Sequence, residues 1–198
     1  MTDLMRYAAE LKKTDGKSLP PVEKWNPDFC GDIDMVIKSD GTWFYEGTPI
    51  GRARLVRLFS TVLKREGDKH FLVTPVEKLG ITVEDAPFLA VLMNVEGTGD
   101  DRTLKFTTNV GDEVVAGPEH PIEFRKPSTN AEGKPYIHVR AGLEALIARP
   151  VFYDLVSLGE IEEIDGEAVF GVRSAGEFFA FGTADEIFDG SPIDQSNE

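Results

Sequence analysis

Apolar and polar positions alternate on both sides of Ser39-Asp40-Gly41-Thr42 in "DMVIKSDGTWFY", residues 34–45. Two short alternating runs around such a turn predict a β-hairpin. The next stretch changes period. In "PIGRARLVRLFSTVLKREG", Leu55, Val56, Leu58, Phe59, Val62 and Leu63 share one arc at about 100° per residue. This predicts an amphipathic helix from about Pro49 to Glu66, with Pro49 in the first turn and Gly67 just past the end. "HFLVT" and "KLGITVE" then read as strands separated by Pro75.

Beyond Ala86 the pattern is mostly strand: "PFLAVLMNVE", "RTLKFTT", "DEVVAG", "PIEFRK" and "KPYIHVR". A second helix is expected from Gly142 through "GLEALIARPVFYDLVSLG", with Pro150 kinking it or starting a second segment. "EAVFGV" and "EFFAFGT" follow as strands. At the start of the chain, Leu4, Tyr7, Ala8 and Leu11 predict a short helix over residues 3–13, followed by a Pro- and Gly-bearing connector pinned by Trp25. The final "FDGSPIDQSNE" reads as an acidic tail.

The order turn, aromatic strand, glycine, helix occurs twice, in "DGTWFYEGTPIGRARLV" and "EGKPYIHVRAGLEALI". Gly41 aligns with Gly133, Phe44 with Tyr136, Gly51 with Gly142, Leu55 with Leu146 and Val56 with Ile147. This predicts an α+β fold of two related sheet-plus-helix units of the ββαββ type, the C-terminal one enlarged. The expected division is an N-terminal helix and connector over 1–18, an α+β domain over 19–82, a β-rich α+β domain over 83–186, and the tail over 187–198.

Composition changes this picture through charge. The formal net charge is -14. Residues 1–80 carry 13 Lys and Arg against 12 Asp and Glu, while residues 81–198 carry 8 against 23. The acidic second half would repel phosphates, so nucleic acid is not an expected partner. No apolar run is long enough to cross a bilayer, and the N-terminus lacks the pattern of a secretory signal, so no membrane partner is expected. The single Cys30 fits a reducing, cytoplasmic setting and reads as a packing residue.

The basic segment divides by face. Arg54, Arg57, Lys64 and Arg65 fall opposite the apolar arc, as a solvated or docking surface. Arg52 projects into the apolar arc and the first helical turn, where a cation calls for an anion. That anion is either an internal carboxylate or a ligand phosphate. Arg140 lies beside the corresponding glycine of the second copy. Glu77, Lys78, Glu84 and Asp85 fall between the two proposed units, either lining the seam or guarding an edge strand. No dinucleotide, phosphate-loop, zinc-protease or serine-hydrolase motif is present. His70, His120 and His138 lack metal-ligand spacing, and neither a metal nor a cofactor is expected.

With these stretches in view, the chain resembles the bacterial domain-of-unknown-function family 1285. The resemblance runs from "CGDIDMVIKSDGTWFYEGTPIGRARLVRLFSTVLKREGDKHFLVTPVEKLGITVEDAPF" through "TNVGDEVVAGPEHPI" and "PYIHVRAGLEALIARPVFYDLV" to "FGVRSAGEFF". It implies a duplicated two-domain core whose C-terminal domain is superficially pleckstrin-homology-like. It also implies a ligand site at the domain interface, with nucleotide-related compounds among the candidates, and a link to signal transduction. The family offers no catalytic residues to transfer, and catalysis is not the expected activity.

Residue reading and resemblance together predict a cytoplasmic ligand-binding or regulatory protein that takes an anionic small molecule. Arg52 and Arg140 would contact the anion, with Lys78 close by. Glu77, Asp85 and Asn109 would supply hydrogen bonds. The alternatives are a protein-interaction or homo-oligomeric role for the basic helix, and a metal-dependent enzyme acting on a phosphorylated small molecule.

Overall fold

The computed structural model describes residues 19–126 and 133–188. The helix expected over 3–13 and all but the first two residues of the acidic tail lie outside the described residues. The chain divides into two compact units. The first holds residues up to Leu89 together with Thr108–Asp112 and Val139–Ala145. The second holds Ala90–Thr107, Glu113–His138 and the chain from Leu146 onward.

The predicted hairpin opens the first sheet as β1 (Phe29–Ile37) and β2 (Trp43–Tyr45), followed by the short β3 (Thr48–Pro49). Helix α1 (Ala53–Ser60) leads into β4 (Leu63–Glu66), β5 (Lys69–Val73) and β6 (Lys78–Val83). The sheet order is β3-β2-β1-β6-β5-β4, with β1 and β6 parallel. Met35, Ile37, Trp43, Phe59, Leu63 and Leu72 are almost wholly buried and form its core. Burying several large apolar side chains, at about 1.5–3 kcal/mol each, is the main favourable term here.

Helix α1 is half the predicted length. Ser60 Oγ donates to the Arg57 carbonyl at 2.7 Å and Thr61 Oγ1 to the Leu58 carbonyl at 2.7 Å, side-chain bonds that occupy the last turn. From Leu63 the same apolar residues serve a strand, with Leu63 opposite Leu72 and Glu66 opposite Lys69. Gly67, expected as the helix stop, belongs to the β4–β5 turn.

The second sheet comprises β7 (Phe88–Glu96), β8 (Thr103–Thr108), β9 (Glu113–Val115), β10 (Ile122–Arg125), β11 (Lys134–Arg140) and β12 (Leu143–Ile147), in the order β10-β11-β12-β7-β8-β9. Counted from its own first strand, each six-stranded sheet runs third, second, first, sixth, fifth, fourth. The repeat is thus present in topology but in another register than the sequence echo. That echo pairs Gly51, Leu55 and Val56, at or within α1, with Gly142, Leu146 and Ile147, which lie at or within β12. The second helix does not begin at Gly142. Ala141 and Gly142 both have positive φ, 48° and 72°, and turn β11 back into β12.

Helix α2 (Arg149–Ser157) carries Pro150 in its first turn, where the missing N–H is harmless. Strands β13 (Glu160–Ile164), β14 (Glu167–Ser174) and β15 (Glu177–Thr183) form a separate three-stranded sheet, and α3 (Ala184–Phe188) closes the described chain. Buried Ser174 Oγ accepts from the Leu104 N–H at 2.9 Å and donates to the Ala116 carbonyl at 2.8 Å, tying β14 to the β8–β9 hairpin. Cys30 is exposed, not packed, because the start of β1 is solvent-facing. Among the described residues no helix is long and apolar enough to cross a membrane.

Candidate functional site

The second unit contains a pocket of about 600 Å³, within the usual size range of small-molecule sites. The β10–β11 register sets Phe124 opposite Pro135 and Arg125 opposite Lys134, and places Phe124, Lys126, Gly133, Lys134 and Pro135 along one side. Strand β12 adds Leu146 and Ile147. Helix α2 adds Arg149, Phe152 and Tyr153, which share a face because residues three and four apart are neighbours on a helix. Ile187 of α3 completes the lining.

The floor is aromatic. Phe124 and Phe152 stack with centroids 5.8 Å apart and planes at 15°. Buried Phe181 lies 5.8 Å from the first ring and 5.9 Å from the second. Pro135 and Ile147 are buried, whereas Lys126, Lys134 and Arg149 are exposed at the mouth. Arg149 Nε donates to the Tyr153 hydroxyl at 2.8 Å, and its guanidinium lies 5.7 Å from the Tyr153 ring centroid. The described lining therefore holds three cations and no Asp or Glu.

The residues expected from sequence do not gather at this pocket. Arg52 is the N-cap of α1, with extended backbone, and is exposed; it does not enter the apolar arc, because the helix begins one residue after it. Among the described residues, neither an internal carboxylate nor any other hydrogen-bond or ion-pair partner meets the side chains of Arg52, Arg54 or Arg57. Lys64 and Arg65 leave that helical face altogether, since both lie on β4. There Lys64 donates to the Trp25 carbonyl at 3.1 Å, and Arg65 Nη1 to the Gly142 carbonyl at 3.1 Å.

Arg140 is internally satisfied. Its guanidinium pairs with the Asp112 carboxylate, donates to the Ser60 carbonyl at 2.9 Å, and lies 4.9 Å from the Phe88 ring centroid. All of these residues belong to the first unit. Asn109 has a structural task in the same unit: its side chain accepts from the Leu89 N–H at 3.0 Å and donates to the Gly41 carbonyl at 3.1 Å.

Lys78 ion-pairs with Glu66 at 2.6 Å and lies 4.8 Å from the Phe71 centroid. Hydrogen bonds from Lys78 and Lys64 hold the Glu66 carboxyl below its usual pKa against partial burial. Glu77 is exposed, in the turn where its N–H meets Thr74 Oγ1 at 3.1 Å. Asp85 is half-buried just after β6. That strand is no edge strand but lies between β1 and β5, so its charges do not protect an open sheet edge. Glu84 pairs with Lys38 at 2.6 Å.

His120 and His138, far apart in sequence, stack with centroids 6.0 Å apart. No group of three or more His, Cys, Asp or Glu among the described residues is arranged to hold a metal ion. Sequence reading passed over Lys126, Lys134 and Arg149. The available signal was that these are three of only eight Lys and Arg in the strongly acidic stretch 81–198, each beside an aromatic or proline residue.

Two six-stranded sheets of one strand order place the chain among two-domain α+β proteins. It belongs to the DUF1285 family: the "Domain of unknown function (DUF1285), N-terminal domain" matches residues 20–86, and the "Protein of unknown function (DUF1285), C-terminal domain" matches residues 87–181. The crystal structure of a DUF1285 family protein from Silicibacter pomeroyi DSS-3 is similar, with 54% identity and a TM-score of 0.83, over 93% of this chain and 97% of that one. A second, from Shewanella baltica OS155, is 28% identical with a TM-score of 0.49, over 62% of this chain and 90% of that one. No curated protein matches the chain.

Proposed function

We propose that the chain is a ligand-binding, regulatory protein that takes an anionic small molecule into the pocket between the β10–β11 hairpin, β12 and α2. The observation that carries this reading is the pocket itself: an aromatic floor of Phe124 and Phe152 with Lys126, Lys134 and Arg149 exposed at its mouth, in the half of the chain where acidic residues prevail. Cations concentrated at one apolar pocket of an acidic surface focus anions locally while the remaining surface repels them. The pleckstrin-homology-like character implied for the C-terminal domain, a cytoplasmic setting and a link to signalling complete the proposal. The first and last rest on the family resemblance, and the cytoplasmic setting rests on the lone cysteine.

The site differs from the one expected at Arg52 and Arg140, which the structure does not bring to this pocket: Arg140 pairs with Asp112 and Lys78 with Glu66. A thermal-shift panel of nucleotides, coenzymes, phosphorylated sugars and organic acids tests the reading. At least one anion raises Tm by mass action on the native state, and Arg149→Ala removes that shift while Arg52→Ala preserves it. A flat panel, or a shift indifferent to Arg149, would sink the pocket.

A second reading has its own observation. Arg52, Arg54 and Arg57 are exposed on or beside α1, without carboxylate partners among the described residues. An acidic protein partner on this face would associate in a steeply salt-dependent way. Pull-down from increasing salt, compared between wild type and Arg54→Ala/Arg57→Ala, separates it from the pocket.

A further inference from the structure

Strand β7 outruns the strand beside it. In the first sheet, the N–H of Glu84, just past β6, donates to the Ile37 carbonyl at 3.0 Å, and β1 ends at that residue. Strand β12 lies beside β7 as β6 lies beside β1. The corresponding bond runs from the Ala148 N–H to the Ala90 carbonyl, also at 3.0 Å, but β7 continues over residues 91–96. Helix α2 opens at Arg149, so β12 has no strand left to lay along this extension. Strand β8 covers one side of it, and among the described residues no strand covers the other. The side chains agree: Val91, Leu92 and Val95 are 46%, 50% and 45% exposed.

Successive residues of a strand turn their N–H and C=O groups to opposite edges. The Leu89 carbonyl meets the Asn109 N–H, just past β8, whereas the Ala90 carbonyl meets the end of β12. Leu92 and Asn94 therefore aim their N–H and C=O groups at the open edge. Such an edge pairs with another strand unless charge, proline or brevity guards it. Edge strands β4, β10 and β13 each carry at least two charged residues, and the short β3 ends in Pro49. The run Val91-Leu92-Met93-Asn94-Val95 has no such guard.

We infer that this edge is a dimerisation site, occupied by the same edge of a second copy of the chain. Antiparallel pairing about a twofold axis at Met93 sets Leu92 of each copy opposite Asn94 of the other, so the open backbone groups of both are satisfied together. Val91 then faces Val95, a favourable cross-strand pair, and Glu96 faces Ala90, so no like charges are opposed. This self-complementarity selects a second copy as the occupant. A pairing this short falls below the roughly 1,000 Å² of a stable interface, so the dimer exchanges with monomer.

Sedimentation velocity of the full chain from about 5 to about 500 μM tests the inference, the mean mass rising from monomer toward dimer with concentration. Asn94→Pro removes an N–H that faces the open edge and costs no bond to β8; it weakens the dimer at least about tenfold. Leu92→Lys places a charged guard on an exposed position, with the same effect and an unchanged monomer Tm. Amide exchange slows at Leu92 and Asn94 as concentration rises, while Val91, Met93 and Val95, bonded to β8, stay unchanged. Each copy carries a formal charge of -14, so added salt screens repulsion and does not weaken the association.

A chain that stays monomeric over the whole range overturns the inference. So does a dimer indifferent to both Asn94→Pro and Leu92→Lys. Association that weakens steeply with salt and with Arg54→Ala/Arg57→Ala belongs to the α1 face, and likewise overturns the β7 edge.

Discussion

Gly133 stands so close to the Phe124 ring that a Cβ there would lie 2.4 Å from Cε1 and 2.5 Å from Cζ. These are distances no methyl group can occupy, so in Gly133→Ala the ring must turn. Phe124 is stacked on Phe152 and tilted against Phe181, and turning it disturbs the pocket floor. The expected cost is about 1–3 kcal/mol, as for other overpacked cores. Calorimetry should show a fall in Tm of roughly 2–10 °C. Any Arg149-dependent ligand should bind more weakly in the same variant. An unchanged Tm would mean that the floor is not packed as described.

Arg140 and Arg52 should part company on mutation. Arg140 joins the Asp112 carboxylate to the Ser60 carbonyl, one of the last carbonyls of α1, which the helix itself cannot satisfy. Arg140→Ala strands a half-buried carboxylate and that carbonyl together, at a cost of about 2–4 kcal/mol. Arg140→Lys restores the charge but not the fork that reaches both groups, so it recovers only part of the loss. Arg52→Ala, at an exposed cap without a partner, should change stability by less than about 0.5 kcal/mol. Urea unfolding of the three variants checks the order. Equal effects of Arg52→Ala and Arg140→Ala would contradict it.

His70 makes stability depend on pH in a definite window. Burial lowers its pKa from the ordinary 6.5, and the charge of Arg65, opposite on β4, lowers it further; Glu144 opposes this in part. Its Nε2 is buried without a hydrogen-bond partner. As pH falls below 6.5 the unfolded chain takes up the proton before the folded one, so the unfolding free energy decreases. The slope is at most about 1.4 kcal/mol per pH unit and vanishes above the ordinary histidine value. Glu66, held below 4.5 by Lys78 and Lys64, acts at lower pH, where its contribution is lost as acid protonates it. Denaturant midpoints measured from pH 7.5 down to about 5.5 should therefore fall less steeply in His70→Phe than in wild type.

Legibility followed the locality of each cause. The Ser39–Thr42 turn and strands β5 to β11 are encoded within a few residues each, and their alternation predicts them. Leu63 to Glu66 and Leu143 to Ile147 fit either a helical arc or a strand, and only pairing with partners distant in sequence decides. That ambiguity lengthened both predicted helices, while starting the first helix at Pro49 instead of Ala53 put Arg52 on the apolar face. The same ambiguity also shifted the repeat, because Gly142 was aligned with a helix entrance when it turns a hairpin. The pocket was less legible still. Lys126, Lys134 and Arg149 converge through the β10–β11 register and the bend from β12 into α2, which no local spacing records. Asn109, selected as a ligand group, proved to answer a backbone need.

That need makes the last prediction. Asn109 accepts from the Leu89 N–H at the start of β7 and donates to the Gly41 carbonyl in the β1–β2 turn, while its own N–H donates to the Leu89 carbonyl at 2.8 Å. The site is exposed, so water replaces part of what is lost. Asn109→Ala should then cost about 1–2 kcal/mol for two hydrogen bonds. Asn109→Asp keeps the acceptor for Leu89 but sets an oxygen against the Gly41 carbonyl, so it should not restore wild-type stability. Amide hydrogen exchange should localise the effect of both variants to Leu89 and the residues around Gly41. A ligand-binding role would have left these amides unchanged and altered only the response to added anion. Loss of anion response in Asn109→Ala, with wild-type exchange at Leu89, would therefore return this residue to the binding site and move the site out of the α2 pocket.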